Sequence, residues 1–168
     1  GHQPMHSACG RYVVVFNGEI YNYEALRRRI ELEDPSAARW RGHSDTEVML
    51  AAISLWGVEP ALQQLHGMFA FGLWDRSTRT LYLARDRIGE KPVYYGEIAG
   101  VFAFASELSA LESIPKASLE VDPQSVSAML QFGYVPAPHC IYKNIFKLEA
   151  GTLLRVGGVA NQRIAVSR

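Results

Sequence analysis

Cysteine is scarce: two residues, Cys9 and Cys140, cannot build the disulfide framework of a small secreted fold. Charge of one sign is not in excess either. Lys plus Arg number 17 and Asp plus Glu number 17, so no basic field steers the chain onto nucleic acid or anionic lipid. Long hydrophobic runs are missing, and the longest, such as Val13-Val14-Val15-Phe16, are strand-sized and too short to span a membrane. His2, His6, His43, His66 and His139 share no metal-ligand spacing with one another or with the cysteines, so no metal site is expected. No Gly-rich phosphate cradle, internal repeat, low-complexity tract or signal-peptide pattern is present. These absences exclude a nucleic-acid binder, a membrane protein and a metalloprotein, and make a reducing cytoplasm the default compartment.

What remains is a globular composition, 48% hydrophobic and 20% charged, on 168 residues, enough for one domain with a sizeable core. Arg11 to Phe16 is β-branched and aromatic and predicts a buried strand that stops at the turn dipeptide Asn17-Gly18. Asn22 can cap a helix with Tyr23, Leu26 and Ile30 on one face. Ser44-Asp45-Thr46-Glu47 reads as a reciprocal capping box opening a helix that stops near Gly57, and a short second helix containing Pro60 should end at Gly67. From Met68 the period becomes two. Met68 to Asp75 with Thr80 to Arg85, and Val93 to Tyr95 with Val101 to Ala105, predict hairpins, followed by a short helix from Ser106 to Glu112. Asp122-Pro123 opens a further helix that Gly133 ends, and Ile141 to Phe146 with Thr152 to Val156 suggests a final strand pair. Antiparallel strands mixed with helices predict an α+β fold, not a parallel doubly wound sheet.

Three places can carry chemistry. Phe16-Asn17-Gly18-Glu19 can present a side-chain amide beside an unhindered backbone amide, the donor pair an oxyanion hole requires, although a plain turn uses the same residues. Asp45, at a helix start, either complements the helix dipole or grips a substrate ammonium. Asp86-Arg87-Ile88-Gly89-Glu90-Lys91-Pro92 is a charged loop that reads first as an ion-paired turn. Cys9, with no partner placed beside it in sequence, reads as a small surface or half-buried thiol.

The string Phe16-Asn17-Gly18-Glu19-Ile20-Tyr21-Asn22-Tyr23 resembles the signature of glutamine-hydrolysing asparagine synthetases. The resemblance continues through Gly1-His2-Gln3-Pro4-Met5, Ser44-Asp45-Thr46-Glu47, Gly67-Met68-Phe69-Ala70-Phe71, the loop from Asp86 to Tyr95, Phe104-Ala105-Ser106-Glu107 and Leu148-Glu149-Ala150-Gly151. It implies a class II glutamine amidotransferase domain with an N-terminal-nucleophile fold, an αββα sandwich of antiparallel sheets between helices. In that family an N-terminal Cys attacks the glutamine side-chain amide. The resemblance gives Asn17 and Gly18 the oxyanion hole, and gives Asp45 and Glu19, with Asn17 and Gly18, the substrate pocket. It makes L-glutamine and a C-terminal synthetase domain the partners, with no cofactor in this domain and ATP and Mg²⁺ in the synthetase domain.

Gly1 stands where no initiator Met or nucleophilic Cys is found, so both ends read as cuts and the fold as incomplete at its N-terminus. Residues 1–120 are then the amidotransferase domain without its leading segment, and residues 121–168 its end and the lead-in to a synthetase domain. The expectation is an ammonia-supplying glutaminase domain, inactive alone and self-associating through an uncovered sheet edge. The alternatives are a paralogue that amidates a sugar acid, peptide or β-lactam precursor, and a non-catalytic amino-acid-binding or interaction module.

Overall fold

A computed structural model describes residues 2–37, 40–157 and 162–165, the last four by backbone alone. The chain runs β1 (Met5–His6), β2 (Tyr12–Ile20), α1 (Tyr23–Glu33), α2 (Asp45–Trp56), α3 (Val58–Gln64), β3 (Gly67–Asp75) and β4 (Thr80–Arg85). It continues with β5 (Tyr94–Ile98), β6 (Val101–Ala105), α4 (Leu108–Glu112), α5 (Pro123–Phe132), β7 (Ile145–Lys147), β8 (Thr152–Val156) and β9 (Gln162–Ala165). A six-stranded sheet has the order β1-β2-β3-β4-β8-β9, a three-stranded sheet the order β6-β5-β7, and every pairing is antiparallel.

Alternation along the strands builds the layers. On one face of the large sheet Tyr12, Val14, Phe16, Ile20, Phe69, Phe71 and Leu73 pack with Leu26, Ile30, Met49, Ile53 and Leu62 of the first three helices. Full burial of each such large side chain contributes roughly 1.5–3 kcal/mol. On the other face Ala70, Leu83 and Leu154 meet Val93, Tyr95 and Leu148 to form the inter-sheet core. Beyond the small sheet, Ile98 and Ile145 pack against Leu111 of α4 and Cys140. The result is the α+β sandwich, helix on sheet on sheet on helix, that the resemblance implies.

Local chemistry explains the element ends. Asp122 accepts hydrogen bonds from the Gln124 and Ser125 amides, Pro123 fills the first turn, and Gly133, at φ 78°, ends α5 in the left-handed conformation. Ser44 caps α2 through the Thr46 amide, but Glu47 does not return to Ser44. Its carboxylate instead holds the Arg41 and Gly42 amides, at 2.6 and 3.1 Å. Asn22 makes no cap bond; its side chain ties the start of α1 to the Gln64 carbonyl and the His66 amide. Gly67 begins β3, and α3 has already ended at Gln64.

Two strand expectations need correction. The first strand does not stop at Asn17-Gly18 but runs through both to Ile20, because β3 offers partners for the whole length, Tyr12↔Asp75 to Ile20↔Gly67. The final hairpin does not form: β7 joins β5 in the small sheet, while β8 joins β4 in the large one. Residues after Val121 therefore add strands to both sheets.

One end of the β2–β3 ladder is locked by charge. Arg11 grips Asp75 bidentately, at 2.9 and 2.6 Å, and the Ser77 and Thr78 amides bond the same carboxylate. The guanidinium bonds outweigh the burial that opposes them and hold the Asp75 carboxyl down to about 2. A carboxylate lowered this far from its ordinary value supplies about 2 kcal/mol of stability. That contribution is complete above about pH 4 and is lost as the pH falls towards 2. Asp75→Asn should therefore lower stability by about 2 kcal/mol at pH 7, with the gap to the parent closing between about pH 4 and pH 2 in urea titrations. A gap that stays constant with pH would remove the ion pair from the explanation.

Candidate active site

The site begins at the outer edge of β2. Every second residue from Tyr12 to Ile20 turns its backbone groups towards that edge, as an antiparallel ladder requires. The Tyr12 amide donates to Ser7 Oγ and its carbonyl accepts from the Ser7 amide. Val14 is paired with Met5 of β1. At Phe16 there is no strand, and the Gln3 side chain substitutes: Nε2 donates to the Phe16 carbonyl and Oε1 accepts from its amide, both at 2.8 Å. The Ile20 amide donates to Asp45 Oδ2 at 2.9 Å. Gly18 falls between these covered positions, and its edge-facing N–H meets no acceptor among the described residues.

Only glycine fits there. Its φ is 150°, and a Cβ would stand 2.1 Å from the Met68 carbonyl oxygen. Asn17, next in the strand, points its side chain to the opposite face from Phe16, into a cleft of about 240 Å³ between the sheets. Val15, Phe104 and Ser106 line the same cleft, and Asn17 Nδ2 donates to Ser106 Oγ at 3.2 Å. Gly72 lets the sheets close at its floor, since a Cβ would sit 2.3 Å from the Phe104 ring.

The structure thus brings Asn17 and Gly18 together as two adjacent donors. Asp45 adjoins them through Ile20, and its Oδ1 also accepts from the Thr46 amide at 2.8 Å, so it both starts α2 and holds the end of β2. Glu19 is exposed on the Asn17 face of the strand and makes no side-chain hydrogen bond among the described residues. Sequence reasoning missed Gln3 and Ser106 as members of the site. Gln3 carries no local signal, because its partner Phe16 lies across a strand connection, and Ser106 reads only as the start of a helix.

Neither cysteine lines this cleft. Cys140 is buried in the outer cluster. Cys9 is exposed beside a separate cavity of about 720 Å³ between β1 and α2, its Sγ 3.2 Å from Ser7 Oγ and 3.6 Å from Ser54 Oγ. Desolvation pushes its thiol up, but hydrogen bonds from Ser7, Ser54 and the backbone outweigh that and leave it lowered.

The loop from Asp86 to Pro92 is not an ion-paired turn. The Asp86 carboxylate accepts from the amides of Ile88, Gly89, Glu90, Lys91 and Phe69. Burial opposes its charge, but these amides outweigh the burial and keep the carboxyl below its ordinary range. Arg85 donates to the carbonyls of Gly89, Lys91 and Leu148, and Arg87 to those of Leu65 and Gln63. The charges meet backbone dipoles because the loop folds back on itself, leaving no strand to satisfy those groups. It is scaffold for the junction of β3, β4 and the small sheet.

The sequence and the fold have counterparts among known proteins. The chain is 40% identical over 162 residues to a putative glutamine-hydrolysing asparagine synthetase of Mycobacterium tuberculosis, which covers 92% of this chain and 24% of that protein. It is 37% identical over 152 residues to glutamine-hydrolysing asparagine synthetase 1 of Bacillus subtilis, covering 90% of this chain and 23% of that one. The chain spans about a quarter of the length of these curated relatives. Among solved structures, glutamine phosphoribosylpyrophosphate amidotransferase from B. subtilis superposes with a TM-score of 0.69 at 20% identity, over 98% of this chain and 32% of that one. A glutamine aminotransferase class-II domain protein from Silicibacter pomeroyi superposes with a TM-score of 0.58 at 18% identity, over 98% and 72% of the two chains. These two show the fold. The glutamine amidotransferase domain family matches residues 1–165, and the chain belongs to that family.

Proposed function

We propose that this chain is the glutaminase domain of a glutamine-dependent asparagine synthetase. It would release ammonia from L-glutamine, and a C-terminal synthetase domain would use that ammonia, with ATP and Mg²⁺, to amidate aspartate. The observation that carries the reading is the unpartnered Gly18 N–H set beside the Asn17 carboxamide at the cleft. The names of the curated relatives support the choice of aspartate as acceptor. The sequence holds no Gly-rich phosphate cradle, and in this reading ATP and Mg²⁺ belong to the synthetase half.

In this reading a thiolate supplied by a residue other than Cys9 or Cys140 attacks the side-chain amide carbon of glutamine. The carbonyl π electrons move onto oxygen, and the new oxyanion takes the Gly18 N–H and the Asn17 Nδ2–H, which leaves Ser106 for it. The proton given up by the thiol passes to the amide nitrogen, and collapse of the tetrahedral adduct breaks the C–N bond, releasing ammonia and leaving a thioester. Water then hydrolyses the thioester to glutamate and restores the thiol. Asp45 would hold the substrate ammonium with lone pairs that Ile20 and Thr46 leave free, and Glu19 would add negative charge on the same strand face. The exposed free thiol of Cys9 suits a reducing, cytoplasmic setting, and an unpaired sheet edge would be the route by which a second copy pairs.

Two substitutions in the full-length protein test these roles. Asn17→Ala should lower glutamine-dependent turnover about 10²- to 10³-fold while ammonia-dependent synthesis stays near the parent rate. Equal loss in both assays would make Asn17 a structural residue. Asp45→Asn should raise KM for glutamine roughly ten- to hundred-fold, since a charge-assisted hydrogen bond is lost from binding. An unchanged KM, with only a lower melting temperature, would reject the ammonium-binding role.

A further inference from the structure

The open edge of β2 carries one feature that the oxyanion reading uses but does not explain: why the Gly18 peptide holds one orientation. Glycine has the widest conformational freedom of any residue, and an edge residue lacks a ladder partner on one side. A donor that rocks loses the preorganisation that makes it effective, because tolerances at such sites are a fraction of an ångström. Something must fix the peptides on either side.

We infer that Gln3 is a positioning residue for glutamine hydrolysis: its side-chain amide stands in for the missing ladder partner of Phe16 and so aims the Gly18 N–H at the oxyanion. The inference rests on the proposed oxyanion role of Gly18. β1 ends its pairing at Met5↔Val14, so the next position along the edge, Phe16, lies beyond the strand. Pro4, which precedes Met5, has no N–H to continue a ladder. A carboxamide carries one acceptor and a donor side by side, as a backbone pair does, and Gln3 uses both on the same residue at 2.8 Å each. These two bonds hold a side chain on an exposed residue, in the wall of the cleft that also holds Asn17. On the far side Asp45 fixes the Ile20 amide at 2.9 Å. Gly18 is thereby bracketed two residues away in each direction, with β3 behind it through Gly18↔Phe69.

The test uses the full-length protein with Gln3→Leu, which removes both bonds, and Gln3→Glu, which keeps the acceptor and loses the donor. Four quantities are read: kcat and KM for glutamine, affinity for the γ-aldehyde analogue of glutamine, and affinity for glutamate. The aldehyde forms a tetrahedral adduct that uses the oxyanion donors, whereas glutamate reports ground-state binding. Gln3→Leu should lower kcat and aldehyde affinity at least about tenfold, with KM and glutamate affinity within about twofold, and Gln3→Glu, whose second carboxylate oxygen faces the Phe16 carbonyl, should lose at least as much kcat and aldehyde affinity. Ammonia-dependent synthesis should be untouched. Parent-like kcat and aldehyde affinity in Gln3→Leu would overturn the inference, as would equal losses in aldehyde and glutamate affinity, which mark a merely structural role. If Gln3→Leu does not fold, Gln3→Glu carries the same criteria. Asn17→Ala measured in parallel separates the two levels: if it also leaves aldehyde affinity unchanged, the oxyanion reading itself fails. If Asn17→Ala loses that affinity and the Gln3 variants keep it, only the positioning role falls.

Discussion

The antiparallel ladder between β2 and β3 is the constraint on which the rest of the structure depends. Its register, from Tyr12↔Asp75 to Ile20↔Gly67, decides which side chains of β2 enter the helical core and which face the second sheet. It also decides which backbone groups turn outward. Slipping that register by one residue would exchange the two faces and point the Gly18 amide into β3 instead of the edge. Both ends of the ladder are fixed. Asp75 is held by Arg11 and the following turn, and at the other end Gly67 approaches so closely that a Cβ would stand 2.1 Å from the Glu19 carbonyl oxygen.

Much of this is legible in the sequence, where the signal is local. The start and stop of α5 follow from Asp122, Pro123 and Gly133, and the stop of α2 from Gly57, because each residue meets the unsatisfied groups of its own helix end. The two early hairpins follow from period-two patterns with short turns. The identity of Asn17, Gly18 and Asp45 as candidates was also legible, the first two from donor chemistry and the third from its place at a helix start.

What could not be read was non-local. Asn-Gly is a turn dipeptide by propensity, yet the partners supplied by β3 extend the strand through it, a tertiary override of a local preference. Ile141 to Phe146 and Thr152 to Val156 look like a hairpin in sequence, but β5 and β4 compete for them and separate them into two sheets. By sequence Glu47 predicts a reciprocal cap and Asp86 an ion-paired turn; both instead collect nearby backbone amides that have no ladder to join. Gln3 is the clearest case. Its role depends on where β1 happens to end against β2, and nothing in its own neighbourhood encodes that.

The Gly18 amide is the free donor in an otherwise covered edge among the described residues. Hydrogen exchange of the individual amides of β2, followed by NMR in the full-length protein, tests this directly. The Phe16 and Ile20 amides, bonded to Gln3 and Asp45, should exchange slowly, while the Gly18 amide between them exchanges fast and becomes protected when the aldehyde analogue binds. A Gly18 amide already as protected as its neighbours in the free protein, and unchanged by the analogue, would contradict the account.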